Sequence, residues 1–309
     1  MSDSGNKSQL PGFSEINEID ICVLRRLREL TGGDHASVYR GSGFNFAGTR
    51  DWQPGDRLSA VDWPQSALNN YDPILVREFE EGKSGIILIV ADASLSMRCG
   101  ANGVLSNHIA LRAIATLGFS GVFFQDLTGL FMFDHRYQYL YARPRLGKNQ
   151  VVNCLSRYNV SNFSGNAGSF TDLAAKITAN LKRTSIVPVI SDFLYEESEI
   201  DGIIRCLNTV KLRHDLFVVM IDCSFLFNLE SVSDSWIECV DVENGRTHLF
   251  SKKEFTRMAN KIIDHQERAE EMLKGKGIEV IKVGVDKNSF FNTLIEFFFI
   301  RRTKRKVSV

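Results

Sequence analysis

From Gly85 onward, short unbroken apolar runs alternate with stretches in which apolar residues recur every three or four positions. Runs of the first kind suit strands buried on both faces of a parallel sheet, and stretches of the second kind suit helices lying across it. GIILIVAD, ending at Asp92, is the first strand, and a helix from Val104 to Phe119 turns Leu105, Ile109, Leu111, Ile114 and Leu117 toward the sheet. LTGLFMFDH and YQYLYARP give two more extended runs, followed by helices over Asn149–Tyr158 and Asp172–Leu181. The strand SIVPVISD ends at Asp192, a helix spans Ser198–Val210, and the strand LFVVMID ends at Asp222. WIECVDV and THLFS read as a hairpin turning at Asn244-Gly245. A polar helix from Lys252 to Leu273, the strand IEVIKVGV and a helix from Ser289 to Arg301 close the series. The predicted fold is α/β, a doubly wound, mostly parallel sheet with helices on both faces over residues 83–301, followed by a basic tail over 302–309.

Upstream the pattern differs. Residues 1–14 are rich in Ser, Gly and Asn and offer little to bury, which predicts a disordered lead. Ile16, Ile19, Val23, Leu27 and Leu30 recur at helical spacing before the stop at Thr31-Gly32-Gly33. From Ser42 to Glu81, Gly43, Gly48, Pro54, Gly55 and Pro64 interrupt short aromatic pieces, as in loops and irregular strands. The helix and this stretch together are expected to form a small N-terminal subdomain over 15–82.

Composition narrows the function classes. The 309 residues carry 37 basic and 37 acidic side chains, so no global field draws the chain to nucleic acid. The one asymmetry is Arg301–Lys306, whose basic residues leave the remainder acidic. The six cysteines are scattered without a CxxC pair, as in a reduced intracellular protein. With no signal-peptide layout and no apolar run of bilayer length, a cytoplasmic location is expected. The run FFNTLIEFFFI at 290–300, followed by basic residues, has two readings: a helix closing the sheet, or, as the lesser one, a peripheral membrane contact. No phosphate loop, His-Glu-x-x-His, Gly-x-Ser-x-Gly or dinucleotide fingerprint occurs, so the chain is not expected to be an enzyme.

The candidate chemistry gathers at strand ends, where the loops of an open parallel sheet converge. Asp92 and Asp192 both occupy such ends. Asp92-Ala93-Ser94-Leu95-Ser96 puts a carboxylate and two hydroxyls in one turn, and Gly168-Ser169-Phe170-Thr171-Asp172 sets a third hydroxyl at a helix start. All these groups are hard oxygen donors, which suit Mg²⁺, Mn²⁺ or Ca²⁺. Mg²⁺ is the first choice, because it dehydrates reluctantly and suits a site with few direct protein bonds. If hydroxyls make the direct bonds, the metal keeps more positive charge for an outside carboxylate. The predicted metal ligands are Asp92, Ser94, Ser96, Thr171 and Asp192. Taken singly, each also has an ordinary role as a helix cap or turn residue. Asp172 reads as a first-turn acid able to orient Thr171, and Asp222 as structural. His108, His135 and His265 show no metal spacing.

Asp92-Ala93-Ser94-Leu95-Ser96, with Thr171 and Asp192 following in order, resembles the metal-ion-dependent adhesion site of von Willebrand factor A domains. Phe46-Ala47-Gly48-Thr49-Arg50-Asp51-Trp52-Gln53-Pro54-Gly55-Asp56 and Val61-Asp62-Trp63, followed by Ser66-Ala67, resemble the most recognisable stretch of the bacterial DUF58 family. The stretch Arg57-Leu58-Ser59-Ala60 departs from many relatives, which carry another basic residue and an arginine there. Arg50, Asp51, Asp56, Asp62 and Trp63 are expected to pin the N-terminal subdomain. Members of the family combine this stretch with an A-type domain and are typically encoded beside MoxR-type AAA+ ATPases. The resemblance therefore implies a metal-dependent protein-interaction module, with a MoxR-type ATPase or its client as partner. Two other readings remain at this point: a metal-dependent hydrolase of phosphoryl or phosphodiester substrates, and a metal-free scaffold.

Overall fold

Helix α1 (Phe13–Leu30) forms where the apolar spacing predicts it, with Ile16, Ile19, Val23 and Leu27 all buried. The computed structural model describes residues 13–31, 44–81, 84–101, 103–160, 169–227, 236–240 and 246–307. The lead up to residue 12, the Gly/Ser/Asn loop at 161–168, the turn at Asn244-Gly245 and residues 308–309 lie outside the described residues. Two compact units divide the chain, and α1 belongs with Gly85–Val309 rather than with Thr31–Ser84. The boundary expected at residue 15 is therefore corrected. The stripe on α1 has a larger apolar surface to cover in the α/β unit, where it joins the same core cluster as Ile87, Ile114 and Phe298. Leu27→Ala is expected to destabilise this unit by about 3 kcal/mol, the usual cost of truncating a fully buried leucine. Urea unfolding followed by circular dichroism measures it, and a loss below about 1 kcal/mol would return α1 to the surface.

The unit Thr31–Ser84 pairs β1 (Phe44–Asp51) with β2 (Leu75–Glu81) antiparallel and carries the short helix α2 (Trp63–Leu68). Arg50 binds Asp56 through both guanidinium nitrogens at 2.7 Å, and Gln53 N–H donates to the same carboxylate at 2.8 Å. These bonds hold the Asp56 carboxyl down to about 2, the Arg50 hydrogen bonds being the larger cause. Asp62 caps α2 by accepting from Gln65 N–H, and the buried Ser66 hydroxyl accepts from Leu75 N–H at 2.9 Å. Arg50, Asp56 and Asp62 thus tie this unit together as expected, whereas the Asp51 side chain is exposed. The tryptophans do not, since Trp52 is 37% and Trp63 51% exposed.

The larger unit continues with β3 (Ile86–Asp92), a ribbon of β4 (Gly100–Ala101) and β5 (Val104–Leu105), α3 (Ser106–Phe123), β6 (Leu127–Phe133) and β7 (Tyr139–Arg145). Then follow α4 (Lys148–Val160), α5 (Phe170–Asn180), β8 (Ile186–Ser191), α6 (Glu197–Lys211) and β9 (Asp215–Ile221). The hairpin strands β10 (Ile237–Val240) and β11 (Thr247–Phe250), α7 (Lys252–Gly275), β12 (Glu279–Val283) and α8 (Lys287–Val307) complete it. Six strands form one sheet in the order β12-β9-β8-β3-β6-β7. Every pairing is parallel except β6 with β7. The edge strand β7 carries Pro144, which an edge tolerates because it needs no inner hydrogen bond there.

The sheet divides two apolar layers. Ile87, Ile89 and Ala91 of β3 face a core shared with α1, α3, α4 and α8, while Leu88 and Val90 face one shared with α5, α6 and α7. This alternation makes β3 a strand buried on both sides, as its unbroken apolar run predicts. Helix α3 is enclosed, with residues buried nearly all round it.

Helix α8 runs on to Val307, beyond the boundary drawn at Arg301. Its apolar residues Phe290, Phe291, Leu294, Ile295 and Phe298 are buried in the core, so that face closes the sheet. Arg301 and Arg302 have structural partners instead of belonging to a free tail. Arg302 donates to both oxygens of the fully buried Asp126, at 2.7 and 2.9 Å, and Gly85 N–H donates to the same carboxylate at 2.7 Å. A Cβ on residue 85 would lie 2.6 Å from Asp126 Oδ1, so only glycine fits. Arg301 binds Asp215 and Glu279 and lies over the rings of Phe217 and Phe297. Among the described residues no helix is long and apolar enough to cross a membrane, and all six cysteines are unbridged.

Candidate metal centre

The chain leaves β3 for one side of the sheet, through α3 to β6, and β8 pairs on the other side of β3. The crevice at the carboxyl ends of β3 and β8 is therefore a switch point of the topology, where open parallel sheets collect ligands. Asp92 ends β3 and Asp192 follows the last residue of β8. Both are buried, at 0% and 2% exposure.

The turn after Asp92 folds onto its own carboxylate. Ser94 N–H donates to Asp92 Oδ1 at 2.8 Å, and a short 3₁₀ turn over Ser96–Arg98 brings Ser96 Oγ to 3.0 Å from Ser94 Oγ. The Ser96 hydroxyl also hydrogen-bonds the Asp192 carboxyl, so a serine from one strand end reaches the acid of the other. Leu194 N–H donates to Asp192 Oδ1 at 3.2 Å. Burial first, and then the neighbouring Asp92 carboxylate, push the Asp192 carboxyl up to about 7. Asp92, Ser94, Ser96 and Asp192 thus come together as predicted.

Thr171 does not join them. Ser169 caps α5 by accepting from Asp172 N–H and donating to its carboxylate at 2.7 Å, which sets Thr171 in the first helical turn. Phe170 fills the inward position, edge-on to Phe133 at 5.5 Å. The Thr171 hydroxyl is exposed and meets Cys206 Sγ of α6 at 3.5 Å. Asp172 serves the cap and does not orient Thr171. Asp222 caps the next turn through Ser224 N–H at 2.9 Å, the structural role expected of it.

Two side chains that sequence reasoning missed complete the site. Ser191 Oγ and Tyr195 Oη both donate to Asp92 Oδ2 at 2.7 Å. Tyr195 reaches back because Phe193, between the two, adopts φ +56°, a left-handed conformation that reverses the chain and is strained for a phenylalanine. Phe193 N–H donates to Ser191 Oγ at 3.0 Å, and its buried ring packs edge-on against Tyr195. SIVPVISD does contain Ser191, but a serine inside a buried strand reads as filler, and nothing in the sequence marks residue 193 as left-handed. A groove of about 880 Å³ begins at Tyr195 and runs between Glu196, Glu197 and the Lys261, His265 and Arg268 side of α7.

The donor set is all oxygen: two carboxylates, two serine hydroxyls and the backing hydroxyls of Ser191 and Tyr195. Among the described residues no Lys, Arg or His pairs with either carboxylate, and no group of three or more His, Cys, Asp or Glu that could hold a metal ion occurs, so a cation here would rest on two carboxylates and hydroxyl oxygens. Each carboxylate oxygen has two lone pairs, so the bonds described leave acceptor capacity. Four of the five residues singled out in the sequence, Asp92, Ser94, Ser96 and Asp192, lie together, and their oxygen donors are of the kind a hard divalent cation takes.

Without metal, a pH dependence follows. The unfolded chain ionises Asp192 near 3.8 and the folded protein only near 7. Between these values the unfolded state is charged while the folded state holds its proton, so Asp192 costs increasing stability as pH rises and a constant amount above. In EDTA the stability of wild type relative to Asp192→Asn is expected to fall across this window. Paired urea titrations measure it, and a flat difference would mean that Asp192 ionises normally.

The model of the family described as "Protein of unknown function DUF58" matches residues 48–270, about seven-tenths of the chain. The chain belongs to the DUF58 family. No curated protein matches it. Among solved structures this DUF58 chain is similar, at 10% identity, to an aerotolerance-related membrane protein from Bacteroides fragilis carrying multiple mutations to serines. That match covers 69% of this chain and 100% of the other, with TM-score 0.37. It is also similar to the SpRpn10 VWA domain (10% identity, 69% and 94% coverage, TM-score 0.34). The PilB minor pilin from Streptococcus sanguinis is a third such structure (10% identity, 75% and 64% coverage, TM-score 0.38). The DUF58 match contains the Arg50–Asp56 clamp and every residue of the candidate metal centre.

Proposed function

We propose that this DUF58 protein binds Mg²⁺ between Asp92, Ser94, Ser96 and Asp192, with Mn²⁺ or Ca²⁺ able to replace it, and uses the metal to take an Asp or Glu carboxylate from a partner protein. The observation that carries the reading is two buried carboxylates near enough to repel, linked through Ser94 N–H and the Ser94 and Ser96 hydroxyls, with no Lys, Arg or His among the described residues paired to either. Like charges in a low-dielectric crevice repel, and a divalent cation removes the repulsion without a proton. With the serine hydroxyls making the direct bonds and the carboxylates binding through water, the metal keeps more of its charge for an outside anion. Thr171 is left out of this set because its hydroxyl is turned to Cys206.

We read the site as one of binding rather than catalysis, since among the described residues no Lys, Arg or His pairs with either carboxylate, and Lys261, His265 and Arg268 line the adjoining groove instead. The groove lined by Leu194, Tyr195 and α7 offers a partner segment a surface next to the stretch of chain that carries Asp192. The family likeness suggests a MoxR-type AAA+ ATPase or its client in the cytoplasm. Tagged protein recovered from its own cells in Mg²⁺ is expected to retain a partner that EDTA releases. Asp92→Ala and the double variant Ser94→Ala/Ser96→Ala, shown to be folded by circular dichroism, are expected to lose that partner. Equal recovery in Mg²⁺ and EDTA contradicts the proposal.

A further inference from the structure

Asp92 and Asp192 share a second feature: each has its own main-chain carbonyl held by a buried side chain from a helix. On one face of the sheet, Tyr158 of α4 donates its hydroxyl to Asp92 O at 2.6 Å. On the other, Gln266 of α7 donates through Nε2 to Asp192 O and to Ile221 O, both at 2.8 Å, and its Oε1 accepts from Cys223 N–H at 3.4 Å. Tyr158 is 3% and Gln266 2% exposed, and their neighbours on the buried helix faces, Val151, Cys154 and Leu155 on α4 and Ala269 and Leu273 on α7, are apolar or small.

A polar group at such a position costs stability unless its bonds are made, and an aliphatic side chain could fill the same volume without that condition. What Tyr158 and Gln266 provide is geometry. Strand ends lie beyond the regular ladder, where a carbonyl is free to take water and swing with it. A carboxylate rides on the same residue as the carbonyl, so fixing one restrains the other. The amide of Gln266 is planar, with a fixed spacing between nitrogen and oxygen, and it binds the end of β8 and the start of the turn after β9 at once. Tyr158 holds the end of β3 from the opposite layer through its one bond to Asp92 O.

We infer that Tyr158 and Gln266 are positioning residues for the cation site, setting Asp92 and Asp192 at the separation the metal requires. The inference rests on the metal-binding function proposed above. Groups that orient metal ligands in this way are worth about 10- to 100-fold in metal affinity. Titration of the full-length protein with Mn²⁺, read by the electron paramagnetic resonance signal of the free ion, tests it. Gln266→Met keeps the length and packing of the side chain and removes its hydrogen bonds, and Tyr158→Phe removes a single oxygen.

Both variants are expected to bind Mn²⁺ about 10- to 100-fold more weakly than wild type at a temperature where each is fully folded. The melting temperature in EDTA is recorded for each, because a purely structural role lowers that temperature and leaves the affinity of the folded protein alone. Wild-type affinity in both variants overturns the inference, whatever their melting temperatures. If wild type itself takes up no Mn²⁺, the metal-binding function falls and the inference with it, so the two failures are distinct. Should Gln266→Met fail to fold, Tyr158→Phe decides alone.

Discussion

Asp192→Asn is expected to abolish saturable Mg²⁺ binding while making the metal-free protein more stable. The substitution removes one of two buried like charges and keeps an oxygen to accept from Leu194 N–H and Ser96, so the relief of repulsion is not offset by a lost bond. A displacement of the Asp192 carboxyl from 3.8 to about 7 sets an upper limit of about 4 kcal/mol, and sharing the coupling with Asp92 brings the expected gain to on the order of 2 kcal/mol. The gain is full only above about pH 7 and only in EDTA. In Mg²⁺ the order reverses, because the cation stabilises wild type and has lost a ligand in the variant. Urea unfolding of the two proteins, with and without Mg²⁺, gives all four values. A variant less stable than wild type in EDTA would mean that the two acids are not in conflict, and the case for a cation between them would go.

Asp126→Ala is expected to cost about 3–5 kcal/mol, the range for removing one partner of a buried ion pair. Arg302 would be left with an unbalanced guanidinium over the Phe124 ring, and Gly85 N–H would lose its acceptor at the entry to β3. The same urea assay reads it. A loss under about 1 kcal/mol, the value of an exposed pair, would show that the end of α8 is not anchored to the sheet and that Arg302 behaves as a surface residue.

These expectations show which parts of the molecule could be read in advance. The strands β3, β8 and β9 are continuous apolar runs that only a sheet covered on both faces can use, and their ends put Asp92 and Asp192 at the switch point without any further information. Spacing alone could not say which surface the stripe of α1 covers. Ile16, Ile19, Val23 and Leu27 call for an apolar partner, but the partner lies on α3 and α8, far along the chain. Arg302 reads as part of a basic tail for the same reason, since its match, Asp126, is 176 residues away.

Thr171 illustrates a different limit. A hydroxyl at a helix start can point into the crevice or away from it, and the choice here falls to Phe170, whose ring takes the inward place, and to Ser169, which takes the cap. Ser191 and Tyr195 were hidden because their roles depend on the left-handed turn at Phe193, a conformation that a phenylalanine does not advertise.

A calorimetric titration of Mg²⁺ into EDTA-stripped wild-type protein, followed by dialysis, tests the central claim most directly. One saturable site per chain, absent from Asp192→Asn and retained in Thr171→Ala, is the predicted result. No saturable heat at millimolar Mg²⁺, or equal binding by wild type and Asp192→Asn, would contradict it.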